Sequence, residues 1–199
     1  MKLYFLRHTT PFDGSPDEER RLTPGGHEDA ERLGRYLAGI GVTLDAVYSS
    51  PLIRAIETAE DVTKQTNEGA PLPVTPADAL RNEASKEDFQ QWLNSLPPLD
   101  HILLVGHAPT LGERVGAMLE FSGEQTEHEM GFVSRETLKK VWEIIAAERE
   151  GEKAEGGRIG GVAPPNAFGL SKGGLACVET EDRLRGSLKF LVSPKFLPR

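Results

Sequence analysis

The sequence is poor in the features that hold or address a protein by other means than packing. It has one cysteine, Cys177, so no internal disulfide can form. That cysteine stands in no motif and reads as a packed strand thiol. No stretch approaches the roughly 20 apolar residues that a membrane-spanning helix needs. The amino end carries a single lysine and an apolar run too short for a signal peptide. Basic residues are also in deficit: 23 Lys and Arg against 31 Asp and Glu give a formal net charge of −8. Such a chain has no general basic field to attract nucleic acid or an anionic membrane. The expectation is a soluble, cytoplasmic protein with neither as a partner. An anionic substrate would have to be caught by a local arginine cluster.

What is present is a chain of 199 residues, a length that suits one domain with a proper core. The hydrophobic fraction is 38%, and 21 Gly and 14 Pro point to many loops. Leu3, Tyr4, Phe5 and Leu6 read as a short buried strand, stopped by the Thr10-Pro11 turn. Arg7 and His8 then fall at its carboxyl end, where open α/β sheets bind ligands. A polar loop follows over 11–22. Thr23 and Pro24 open a helix, with Ala30, Leu33, Leu37 and Ile40 at helical spacing and Gly39 and Gly41 ending it. His27, in its first turn, reads as a solvated residue.

A second strand, Ala46 to Tyr48, runs straight into Ser49-Ser50-Pro51. Ser50 is expected to cap the next helix, with Pro51 at its first position and Arg54 in its first turn. A helix amino end already favours anions. An arginine placed there is unfavourable unless an anion offsets the repulsion, so Arg54 is a candidate ligand for one. The alternative is a surface ion pair with Glu57 or Glu60. Leu72, Val74 and Ala77 suggest a short strand. Residues 85–94 suggest a helix with Phe89, Trp92 and Leu93 inward, closed by Pro97-Pro98. The run from His101 to Val105 is a second fully apolar strand, and it delivers His107 beyond Gly106, a residue that permits close backbone approach. Leu111, Val115, Met118 and Leu119 mark the helix after it. His101 is expected to be structural or solvated, and His128 solvated. Residues 121–165 read as a helical surface insertion, with Leu138, Val141, Trp142 and Ile145 at helical spacing and a glycine-rich, charged end. The segments 174–178 and 187–192 read as two antiparallel strands at the sheet edge.

Alternation of strands and helices predicts a three-layer α/β/α sandwich over 1–199, with a mostly parallel central sheet and an antiparallel edge. Strands beginning near residues 2, 46 and 102 would bring Arg7, His8, Arg54 and His107 to one sheet edge. Two arginines and two histidines there suit a small, doubly negative, tetrahedral group. Arginine's planar fork matches phosphate oxygens in pairs. A neutral imidazole is a competent nucleophile toward phosphorus when a backbone carbonyl aims its ring.

The ordered set Leu6-Arg7-His8, Leu22-Thr23-x-x-Gly26, Ser49-Ser50-Pro51-x-x-Arg54-Ala55-x-x-Thr58-Ala59 and Val105-Gly106-His107 resembles the histidine phosphatase superfamily, the phosphoglycerate mutase-like group. Within it the small size and the Gly-His-Ala-Pro-Thr-Leu segment are similar to SixA-type phosphohistidine phosphatases. The resemblance covers residues 1–120 well and 166–194 weakly. It implies that His8 attacks phosphorus and is transiently phosphorylated. It also implies that Arg7, Arg54 and His107 hold the phosphoryl oxygens, and that no metal or other cofactor is required.

Two departures stand out. Thr9 replaces the usual glycine, and its hydroxyl could contact phosphate or its bulk narrow the entrance. Larger members use a glutamate as proton donor, and Glu83 is the one candidate, with a plain surface carboxylate as the alternative. The resemblance implies a phosphatase acting on a phosphohistidine protein. A small-molecule phosphomonoesterase, a mutase, and a phosphate-binding regulatory module without turnover are the other readings. The oligomeric state is left open by the sequence.

Overall fold

The structure, a computed structural model, describes residues 1–14, 16–67, 70–119 and 169–197. The segment expected as an insertion at 121–165 lies outside the described residues, as does His128.

Six strands form one sheet: β1 (Lys2–Arg7), β2 (Ala46–Ser49), β3 (Val74–Pro76), β4 (His101–Gly106), β5 (Leu175–Thr180) and β6 (Gly186–Val192). Their order is β3-β2-β4-β1-β5-β6. β3, β2, β4 and β1 run parallel, and β5 and β6 add an antiparallel edge. Among the described residues the four α-helices are α1 (Pro24–Gly39), α2 (Ile53–Thr66), α3 (Lys86–Ser95) and α4 (Thr110–Leu119).

Strand β1 is apolar throughout because both of its faces are covered. Side chains alternate across a strand, and here each set meets a different pair of helices. Leu3 and Phe5 pack with Phe89 and Leu93 of α3 and with Leu111 and Val115 of α4. Tyr4 and Leu6 pack with Leu33 and Leu37 of α1 and with Ala55, Ala59 and Val62 of α2. The three-layer α/β/α architecture follows from this division. Helices α1 and α2 meet closely at Gly34, where a Cβ would stand 2.6 Å from the Val62 carbonyl oxygen.

Several local expectations change. Ile40 is 47% exposed, because α1 ends at Gly39 and the chain turns at Gly41 with φ of 77°. Trp92 is only half-buried, stacked edge-on against Tyr48 at 5.3 Å. Ser50 does not cap α2. That helix starts at Ile53, and Leu52 precedes it with no side-chain cap. The expected plain loop at 11–22 contains a 3-10 turn at Asp17–Glu19 and pairs its ends through Pro11 and Leu22. His27 is not a free helix residue. Its Nδ1 lies 2.5 Å from the carboxylate of buried Asp61, which also receives Lys64 at 2.8 Å. His101 opens β4, with its Nδ1 2.8 Å from the Tyr4 hydroxyl, at the opposite end of the strand from His107. Cys177 is buried in β5 as expected.

Candidate active site

Strand register brings the candidate residues level. Arg7 pairs with Gly106 across β1 and β4, and Ser49 pairs with Val105 across β2 and β4. The next residue along each strand is therefore His8, His107 or Ser50, side by side at the carboxyl edge of three adjacent parallel strands. Backbone bonds hold these exits in place: His8 N–H donates to Gly106 O at 3.0 Å, and Ser50 N–H to Val105 O at 2.8 Å. From the other side, Gly173 N–H donates to Arg7 O at 3.1 Å. Gly106 lets the Leu80 carbonyl in, at 3.1 Å from where a Cβ would be.

His8 and His107 are both buried, with ring centroids 5.1 Å apart. His8 Nδ1 is 2.7 Å from the Thr9 carbonyl oxygen. A carbonyl only accepts, so Nδ1 carries the proton and a neutral ring keeps its lone pair on Nε2. Burial, then His107 and the charges of Arg54 and Arg7, push the His8 ring down to about 3, against the opposing hydrogen bond to Thr9. His107 is lowered to about 4, first by burial and next by Arg54. Both rings are therefore neutral near pH 7. His107 Nε2 lies 2.8 Å from the Ser50 hydroxyl, which leaves Nδ1 as its nitrogen toward a ligand.

Arg7 is half-buried and donates from Nη1 to Leu170 O at 2.9 Å. Arg54, also buried, is paired with neither Glu57 nor Glu60. Its Nη1 donates to the Asp17 carbonyl at 2.7 Å and its Nη2 to the Asp17 carboxylate at 2.8 Å. Glu57 serves the chain elsewhere, receiving Arg21 at 2.9 Å and Leu22 N–H at 2.8 Å. The structure thus brings Arg7, His8, Arg54 and His107 together, with their fields acting on the same two rings.

Thr9 is placed differently from the expected phosphate contact, and Glu83 takes the position of its alternative, a surface carboxylate. Thr9 is fully buried, and its hydroxyl lies 3.2 Å from Thr58 Oγ1. It is turned into the α2 contact, so it neither lines the entrance nor narrows it. Glu83 is exposed in the turn before α3. Its carboxylate acts on Arg81, whose own charge reaches His107.

Two contributors were not legible as such. Ser50 reads as a helix cap but orients His107. Asp17 sits in a string of charges with no periodicity and reaches Arg54 only through the folded loop.

Two neutral imidazoles and two guanidinium groups thus meet at the carboxyl edge of the parallel strands. The family model of the histidine phosphatase superfamily (branch 1) matches residues 3–91. An uncharacterized protein of Picosynechococcus sp. is 33% identical over 118 residues, which cover 57% of this chain and 70% of that protein. This chain belongs to the histidine phosphatase superfamily. The serine/threonine-protein phosphatase PGAM5 of Rattus norvegicus is 33% identical over 86 residues, and the chain spans only 30% of its length. The structure of the protein histidine phosphatase SixA complexed with tungstate superposes with a TM-score of 0.68 at 19% identity, covering 98% of both chains. At that identity the likeness is one of fold.

Proposed function

We propose that this protein is a phosphatase that works through a phosphohistidine at His8, with a phosphohistidine-bearing protein as its substrate. One observation carries the reading: the His8 ring is neutral and pinned by Nδ1 on the Thr9 carbonyl, with Nε2 left as nucleophile beside two arginines. In the first step the Nε2 lone pair forms an N–P bond while the bond from phosphorus to the leaving group breaks. The electron pair of that bond departs with the leaving group. Arg7, Arg54 and His107 take the phosphoryl oxygens, where charge must be stabilised in the transition state. In the second step water oxygen attacks phosphorus, the N–P electron pair returns to Nε2, and the water proton is lost to solvent or to the departing phosphate.

The leaving group separates the substrate classes. An alkoxide needs a proton as it departs. Imidazole leaves as a neutral ring when its far nitrogen already carries a proton, which it takes up from water near an ordinary pKa of about 6.5, so the site need not supply an acid, and the exchange of one imidazole for another is nearly balanced. The carboxylates near the centre suit the second case. Asp17 is held below the usual carboxylate range by Arg20 and then Arg54, so it stays ionised. Glu83 is solvent-exposed. The named relatives, a protein histidine phosphatase and a serine/threonine-protein phosphatase, support a phosphoprotein as substrate.

The test presents a phosphohistidine peptide and, separately, a panel of phosphoserine peptides and sugar and glycerate phosphates. The phosphohistidine peptide should be the better substrate, an acid-labile label should appear on His8, and Glu83→Gln should change that turnover less than about threefold, under roughly 0.7 kcal/mol. Preference for the monoesters together with a large loss in Glu83→Gln would establish the phosphomonoesterase reading. Binding of phosphate with no label on His8 would establish a regulatory module.

A further inference from the structure

The buried Arg54 needs explaining before any ligand arrives. A cation in the first turn of a helix opposes the helix dipole, and a buried charge is costly unless it is paired. Asp17 supplies the partner twice, through its carbonyl to Nη1 and its carboxylate to Nη2. Asp17 is itself held: Arg20 Nη1 reaches its other carboxylate oxygen at 2.8 Å, and Arg20 Nε donates to Phe12 O at 2.7 Å. Phe12, Asp17 and Arg20 are thereby tied to Arg54.

These contacts use two of the five guanidinium N–H groups. The other three, on Nε and on each Nη, make no hydrogen bond with a described residue, and Nε with one Nη forms the second fork that matches paired oxygens. Arg54 is at the same time the strongest single charge acting on His107, and it acts on His8 as well. A carboxylate that competed for the ligand's place would cover the fork; this one grips the far edge and leaves a fork open.

We infer that Asp17 is a positioning residue, which orients Arg54 so that its second fork meets the phosphoryl oxygens. This rests on the site being the phosphoryl centre described above. A binding readout is therefore needed that does not depend on turnover. Vanadate binding is measured by calorimetry for the wild type, Asp17→Ala, Asp17→Asn, Arg54→Lys and the double variant Asp17→Ala/Arg54→Lys. Removing a negative charge should by itself tighten anion binding. The expected result is the reverse for Asp17→Ala, about tenfold weaker binding, because Nη2 loses its acceptor. Asp17→Asn keeps an acceptor oxygen without the charge and should bind at least as tightly as the wild type. In the Arg54→Lys background Asp17→Ala should have no further effect. Kinetics with the phosphohistidine peptide should show the fall chiefly in kcat for Asp17→Ala, restored in Asp17→Asn. Asp17→Ala leaves the buried Arg54 with the Asp17 carbonyl as its remaining acceptor, so its melting temperature should fall; binding is therefore compared at a temperature where circular dichroism shows every variant folded, which separates orientation from lost folding. Tighter or unchanged vanadate binding in Asp17→Ala, an identical response of the alanine and asparagine variants, or additivity with Arg54→Lys would overturn the inference. A wild type that binds vanadate but turns over no substrate would instead overturn the phosphatase reading, with the binding comparison still deciding the role of Asp17.

Discussion

Acidification tests the buried imidazoles directly. An unfolded chain takes up a proton on each histidine near pH 6.5, about the ordinary value. In the fold, burial first, then His107 and the arginines, hold His8 down to about 3, and burial, then Arg54, holds His107 down to about 4. Their folded values are depressed, so the unfolded state binds more protons over the interval between. The stability linked to these rings is then fully present above about pH 6.5 and is lost as pH falls toward the folded values. Between about pH 7 and pH 4.5 the loss for one such ring is on the order of 2–3 kcal/mol, at about 1.36 kcal/mol for each pH unit of unequal protonation. That is a large part of a domain stability of about 5–15 kcal/mol. Urea unfolding of the wild type and of His8→Asn at several pH values in that range isolates the ring. The variant should lose on the order of 2–3 kcal/mol less than the wild type over the same interval, whatever its stability at neutral pH. Parallel curves would show that His8 takes its proton as readily in the fold as out of it, and the argument for a neutral, buried nucleophile would fail.

Ser50→Ala removes the hydroxyl 2.8 Å from His107 Nε2 and should lower kcat about tenfold, equivalent to about 1.4 kcal/mol, with KM little changed in steady-state assays. Thr9→Val replaces a hydroxyl that lies on Thr58, so urea unfolding should show a cost of about 1 kcal/mol and calorimetry an unchanged phosphate affinity. Loss of phosphate binding would mean that the hydroxyl reaches the ligand. Arg183 donates to the carbonyls of Leu93 and Asn94 in the last turn of α3 and of Leu96 and Pro97 just beyond it. Arg183→Ala should destabilise by about 2 kcal/mol while leaving turnover intact, because Thr180, at the start of that turn, pairs with Met1 at the opposite edge of the sheet.

Much of the centre is written in local sequence. Leu3 to Leu6 is an uninterrupted apolar run, and a run of that kind can only be a strand covered on both faces. Its polar successors must then sit at its end. The same holds for Ile102 to Val105 and for His107. β1 and β4 are parallel and equally long, which puts Arg7, His8 and His107 level, while Arg54 joins them from the helix that follows the shorter β2.

Tertiary structure alone decided the partners. Asp17 reaches Arg54 across 37 positions, Ser50 reaches His107 across 57, and His27 reaches Asp61 across 34. No periodicity encodes a side-chain contact between separate elements. Thr9 looked outward by analogy of position, yet the packing of α2 against β1 turned its hydroxyl to Thr58. Local sequence determines where a chain must be apolar and where it must end. Which polar atom satisfies which other depends on how the covered layers pack, and that is a property of the fold as a whole.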